Sequence, residues 1–331
     1  MKNVSFSAFV TFFSHMEVFF MSVFFNKKML LDAEDLKEIS DILEIINYRP
    51  RTIESYLYSL GDLSVWLDSN YHIPLKEVDL TKIRSFLAYL KKPVENGGRG
   101  LKPRSINIYI AAIRKYFQTV LRMPLSRDVL PSMKVDHTLP KVPSKKEIIK
   151  IVMGTENLKH RALLALAYGC ALRLTEVITL QFGDISFTNH TLTIRAENSK
   201  SRHEDVVELP DNLIPILKAY YFEHCASSKP TRQDWLFPGQ KPGTHLSKGT
   251  PDRVLRSRLK DLGWSHCGYS FHSLRHAHAL HYYLAGADIY QVQLRLRHKS
   301  IASTEIYIRM AGRLQERRTI ENPFDDPGFK A

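Results

Sequence analysis

The sequence predicts a mainly α-helical protein with one small β-sheet, divided into two domains. Three observations carry that expectation. Apolar residues recur at helical spacing through residues 30–121. A proline-rich, aperiodic stretch follows at 124–143. Beyond it, among further helical patterns, β-formers flank a single polar turn in "TLTIRAENSKSRHEDVVELP" (191–210). A chain of 331 residues is long enough for two domains of ordinary size. Its 44% hydrophobic and 24% charged content is that of a soluble globular protein.

The first 28 residues are rich in Phe and nearly free of charge. Lys2 before an apolar run suggests a secretory signal, but His15 and Glu17 interrupt the run, and Asn26-Lys27-Lys28 is no small-residue cleavage site. The apolar stretch is also short for a membrane span. A later translation start at Met16, Met21 or Met29 is the expectation. Next, "DAEDLKEISDILEII" places Leu36, Ile39, Ile42, Leu43 and Ile46 on one helical face. In "RPRTIESYLYSLGDLSVWLDSN", Thr52 is the expected N-cap, and Ile53, Tyr56, Leu57, Leu60, Leu63 and Leu67 form the apolar stripe. Thr81 is expected to start a third helix. Gly97, Gly98 and Gly100 form a flexible basic loop. A fourth helix buries Ile106, Tyr109, Ile110, Ile113 and Phe117 and turns Arg104, Asn107, Arg114 and Lys115 outward, toward phosphates or simply toward water.

Residues 29–123 are thus expected to form a helical domain, 124–143 a linker, 144–312 a second domain and 313–331 a tail. The second domain opens at Ser144, an N-cap for "KKEIIKIVM". "HRALLALAYGCALRLTEVITLQ" reads as two helical segments hinged at Gly169. The β-hairpin follows, then a helix at 213–224 and three or four more helical segments. One of these, "HSLRHAHALHYYLAG", ends on a glycine cap.

The formal net charge of +13 favours a polyanionic partner, nucleic acid above all. Cys170, Cys225 and Cys267 are odd in number and widely spaced, which argues against a disulfide scaffold and a zinc site and fits a reducing cytoplasm. The densest chemistry lies in "YSFHSLRHAHALHYY" (269–283), with four histidines and one arginine. His272 and His276 have the spacing of two metal ligands, but the glutamate of an H-E-x-x-H site is missing. His276, His278 and His281 also share no single face, so no metal is expected. His272 and Arg275 lie one turn apart and suit a phosphate instead. Further along the chain stand Arg173 with Glu176 one turn later, Lys200 at the hairpin tip, and His298 and Tyr307 in "LRHKSIASTEIYIRM". Singly, each has an ordinary structural reading.

As an ordered set they resemble the tyrosine recombinase (phage integrase) family. Its pattern runs from an arginine in "LRxxE", through a hairpin lysine and "HxLRH", to "LGH" followed nine residues later by a tyrosine. Here the last interval runs from His298 to Tyr307, and Thr304 matches the threonine three before the tyrosine. "GDIS" and "LFP" are further similarities. The resemblance covers roughly 140–312, and the region before it is similar to the family's SAM-like core-binding domain in pattern and position. It implies Tyr307 as nucleophile, with Arg173, Lys200, His272, Arg275 and His298 as its supporting set. Two departures stand out. Arg297 occupies the place of the usual glycine and is expected to alter that turn. The hairpin "ENSKSRHED" lacks a glycine-flanked lysine, so either Lys200 or Arg202 fills that role.

This set suits an anionic phosphodiester. Two guanidiniums neutralise the non-bridging oxygens and stabilise the pentacoordinate transition state, so neither metal nor cofactor is called for. Cations also ease the ionisation of a phenol whose ordinary pKa is ~10, and a lysine can protonate the leaving 5′-oxygen. The resemblance implies a site-specific recombinase or integrase of a mobile element or chromosome, cytoplasmic and nucleoid-bound. Its partners would be double-stranded DNA, a homotetramer on two DNA sites and, where used, DNA-bending proteins, with no membrane. The alternatives are a type IB topoisomerase-like enzyme and a non-catalytic DNA-binding protein on the same fold.

Overall fold

The computed structural model describes residues 32–136, 138–197 and 203–314. The apolar leader, both candidates for the hairpin cation (Lys200 and Arg202) and nearly all of the C-terminal tail lie outside the described residues. The chain divides into two compact units, Met1–His137 and Thr138–Ala331. It is mostly helical with one three-stranded sheet.

Among the described residues, unit one is built on four helices: α1 (Ala33–Ile45), α2 (Pro50–Tyr71), α3 (Leu80–Lys91) and α4 (Pro103–Thr119). Their apolar stripes meet in one core centred on Leu36, Ile39, Leu57, Leu60, Phe86 and Ile110. Two starts differ from the sequence expectation. Helix α2 begins at Pro50, not after Thr52, because proline at the first helical position gives up an N–H that has no helical partner there. Helix α3 is capped by Asp79, whose side chain accepts from the Lys82 N–H at 2.8 Å, so Thr81 lies inside the helix. Ile46 falls beyond the end of α1 and is 45% exposed. Asn107 and Arg114 are not free on the outer face of α4. Asn107 makes a reciprocal pair with the Met133 backbone (3.0 and 2.7 Å), and Arg114 donates to the Leu130 carbonyl.

Unit two opens with α5 (Lys145–Met153), held by a capping box between Ser144 and Glu147. Helix α6 (Leu158–Gly169) is buried along most of its length, and a break leads into the short α7 (Leu174–Ile178). The break turns on Ala171, in the left-handed region at φ 50°. Strands β1 (Ile185–Ser186), β2 (Thr191–Ile194) and β3 (Asp205–Glu208) form an antiparallel sheet in that order, with Leu192 opposite Val207. The hairpin is the one the sequence predicts, and β1 is an added edge strand too short to leave a periodic signal. Helices α8 (Ile214–Ser228), α9 (Thr250–Asp261), α10 (Phe271–Leu284), α11 (Ile289–Leu296) and α12 (Glu305–Leu314) complete the unit. A large core surrounds α6. A smaller one joins Ala171, Ala279, Leu280, Val292, Leu296, Tyr307 and Met310. Gly286, just past α10, has φ 111°, the conformation expected of a glycine ending a helix. Among the described residues no helix is long and apolar enough to cross a membrane.

Candidate active site

The site grows from a single buried carboxylate. Glu176 sits in the first turn of α7 and is 1% exposed. Its Oε2 accepts the Arg173 backbone N–H at 2.8 Å, and its Oε1 accepts from the Arg173 Nη1 at 2.6 Å. Arg297 Nη2 reaches Oε2 at 2.8 Å, and Arg275 Nη1 stands 3.8 Å from the same oxygen. Three guanidiniums therefore surround one carboxylate, leaving the cluster with a net positive charge. Burial pushes the Glu176 carboxyl up. Arg297, the Arg173 N–H and the Arg173 and Arg275 charges together outweigh that and hold it below its usual range.

Arg275, in the first half of α10, is 1% exposed. Its two terminal nitrogens donate to the carbonyls of Ala171 and Leu296. The left-handed turn at Ala171 and the end of α11 supply those acceptors. Burial, then Arg173 and Arg297, pull the Arg275 guanidinium down to about 9, so it stays charged at neutral pH. Arg173 Nη2 also reaches the carbonyls of Arg297 (3.1 Å) and Leu296 (3.5 Å). The Leu296 carbonyl thus serves both arginines expected from the sequence.

Arg297 adopts a left-handed conformation, which favours glycine. It ends α11 at φ 52°, ψ 46°, and the side chain folds back to the carboxylate. His298, the next residue, pairs its Nδ1 with the buried Thr304 hydroxyl at 2.9 Å. Burial, then Arg275, Arg173 and the neighbouring histidines, hold His298 near 4. It is neutral at physiological pH, with Nε2 on the far side of the ring.

Tyr307 lies in the first turn of α12 and is 1% exposed. Its hydroxyl is 2.8 Å from His276 Nδ1, on the residue next to Arg275. Burial pushes the phenol up to about 12, and the Arg275 charge pulls the other way. His276 is held near 4 by burial, His272 and Arg275, so it is a neutral ring that can share a hydrogen bond with the phenol. His272 and His276 meet edge to face with centroids 4.6 Å apart. Desolvation, then Arg275 and Arg173, lower the His272 pKa as well.

Unit two therefore brings together five of the six residues singled out from the sequence: Arg173, His272, Arg275, His298 and Tyr307. Lys200 lies outside the described residues. Sequence reasoning missed His276 as the partner of Tyr307, although it is the last letter of "HSLRH", and Arg297 as a further partner of Glu176. His276 was legible as a motif residue without a role. Arg297 registered only as a departure from a pattern. The other two histidines of the segment are structural. His278 accepts from Arg295 Nε (3.4 Å) and His281 pairs with the Tyr168 hydroxyl (3.1 Å). Among the described residues no group of three or more His, Cys, Asp or Glu is arranged to hold a metal ion.

Comparison with known proteins gives the family. Residues 143–313 match the phage integrase family, and residues 36–127 match the phage integrase N-terminal SAM-like domain. Protein y4qK of Sinorhizobium fredii, which carries an integrase/recombinase name, is 30% identical over 88% of this chain and 89% of its own. The tyrosine recombinase XerA of Pyrococcus horikoshii is 28% identical over 86% of this chain and 92% of its own. The crystal structure of the XerH site-specific recombinase on a palindromic difH substrate shares the fold, with TM-score 0.66 and 21% identity. The match covers 87% of this chain and 89% of that one. The chain belongs to the phage integrase family and is a tyrosine site-specific recombinase.

Proposed function

We propose that the enzyme cleaves and rejoins duplex DNA through a covalent 3′-phosphotyrosyl link to Tyr307. The observation that carries this reading is the Tyr307 hydroxyl on His276, one residue from an arginine that shares Glu176 with a second arginine. In the reaction the phenol oxygen attacks the scissile phosphorus as its proton passes to a histidine of the site. Arg173 and Arg275 grip the non-bridging oxygens and offset the charge of the pentacoordinate transition state, with His272 and His298 as further donors. The 5′-oxygen leaves with a proton from the hairpin cation, Lys200 or Arg202. One P–O bond forms as another breaks, so the bond energy is retained and a 5′-hydroxyl from another strand reverses the step. The charge work is done by guanidiniums, so the reaction is expected to need neither metal nor ATP. At 1% exposure, the phenol must leave its present contact to meet a phosphate.

In this reading the helical domain (29–123) and the catalytic domain (144–312), joined through 124–143, both contact the duplex. Four copies act on two DNA sites, in a bacterial cytoplasm and on its nucleoid, with DNA-bending proteins where a site requires them. The test is incubation with a centrally nicked duplex selected by the protein from a random pool. A covalent protein–DNA adduct is expected with wild type and none with Tyr307→Phe. An adduct of equal yield with Tyr307→Phe would overturn the assignment.

A further inference from the structure

We propose that His276 is a positioning residue of this site, one that holds the Tyr307 hydroxyl in a buried resting place that the nucleophile must leave before it attacks. The inference rests on the strand-transfer reading above and deepens it by saying where the nucleophile waits.

Three observations support it. The hydroxyl is 2.8 Å from His276 Nδ1, and the two rings lie with centroids 5.8 Å apart. Tyr307 is 1% exposed, and the hydrophobic side chains that share its small core, among them Leu280, Val292, Leu296 and Met310, offer a hydroxyl no partner. The main chain at Tyr307 is tied down separately. Its N–H donates to the Thr304 carbonyl at 3.0 Å, and Thr304 is itself fully buried and paired with His298. The contact with His276 therefore bears on the tyrosine side chain and not on the course of α12.

A hydroxyl sealed among apolar groups without a partner pays its full desolvation penalty. His276 removes that penalty and so lets the nucleophile rest in the core. There the phenol is withheld twice: a phosphate does not reach it, and burial pushes its ionisation up to about 12. Taking the Nδ1 partner away should shift the balance toward released phenol by roughly 5- to 100-fold, the range that a lost hydrogen bond at a buried site commands. Because this contact must break before attack, its loss should quicken adduct formation. Loss of a histidine that takes the phenol proton would slow it instead.

The experiment nitrates the full-length enzyme with tetranitromethane, which modifies accessible, ionised phenols, and reads each tyrosine by peptide mass spectrometry. Tyr290, 66% exposed, is the accessible reference, and Tyr220, 2% exposed in the large core of the same unit, reports general opening. Wild type is compared with His276→Leu, which puts a methyl at the position of Nδ1, and His276→Asn, which keeps a polar atom there. In wild type, Tyr307 should react at least roughly tenfold more slowly than Tyr290. The leucine variant should raise Tyr307 against Tyr290 by roughly tenfold while Tyr220 stays protected, and asparagine should restore most of the protection. Single-turnover adduct formation on the selected nicked duplex should be faster in the leucine variant than in wild type, by up to the same factor. A wild-type Tyr307 as reactive as Tyr290 would overturn the inference. So would a leucine variant that leaves Tyr307 protected, that exposes Tyr220 as well, or that forms adduct no faster than wild type. Wild type that binds the duplex but forms no adduct would overturn the functional reading, while the nitration ratios still decide whether His276 holds the phenol.

Discussion

Glu176 is the residue on which the others depend. Its carboxylate is buried, and it is the only charge in the described cluster that opposes three guanidiniums. Removing one partner from a buried ionic network leaves uncompensated charge, which costs about 3–5 kcal/mol. Glu176→Gln keeps the shape and removes the charge, so it is expected to lower unfolding free energy by roughly 3 kcal/mol in a denaturant titration. A change below about 0.5 kcal/mol, the size of an ordinary surface substitution, would mean that the cluster is not held as described. The sequence showed Arg173 and Glu176 one turn apart but not the burial that gives the pair its weight. It also could not show that Arg297, far along the chain, would join them, because that contact depends on how α7 and α11 pack.

At the scale of the element, α10 links the site to the core. One face carries Arg275 and His276 to Tyr307, and the rest packs His278 and His281 against α6 and α11. Burial first, then nearby cations, holds His276, His278 and His281 each near 4. An unfolded histidine titrates near ~6.5. Between those values the unfolded chain binds protons that the folded chain refuses, so these histidines lower stability as pH drops from about 6.5 to about 4, and their contribution levels off below. Thermal melts across that window are expected to show the decline, and His278→Gln should make it shallower. An unchanged slope in that variant would remove His278 from the account. Element positions were largely legible in the sequence, because apolar spacing survives in α1 to α4 and in α10 to α12. Helix starts were less so. Pro50 at the first helical position starts α2 and Asp79 caps α3, while Thr52 and Thr81 lie within their helices.

At the scale of the whole molecule, the net charge of +13 and the family fold make the same demand on DNA binding. Each phosphate neutralised by a Lys or Arg releases counterions, with a slope of about −0.9 per contact in log affinity against log salt. A duplex-binding enzyme of this size making about six or more such contacts should therefore lose affinity with a slope steeper than about −5. A slope near zero in a fluorescence-anisotropy series would show that the basic surface does not follow the phosphate backbone. The two-unit organisation could be read from the proline-rich stretch between the helical patterns. The anchoring of its residues 130–133 on α4 could not, because Asn107 and Arg114 resemble any solvated face until their partners are seen.

The central claim is a bond between one phenol oxygen and a DNA 3′-phosphate. The most direct measurement is to trap the adduct on the nicked duplex, digest protein and DNA, and sequence the nucleotide-bearing peptide by mass spectrometry. The account predicts a single modified residue, Tyr307, joined to a 3′-phosphate opposite a free 5′-hydroxyl end. A nucleotide on any other residue, or a 5′-phosphate linkage at Tyr307, would contradict it.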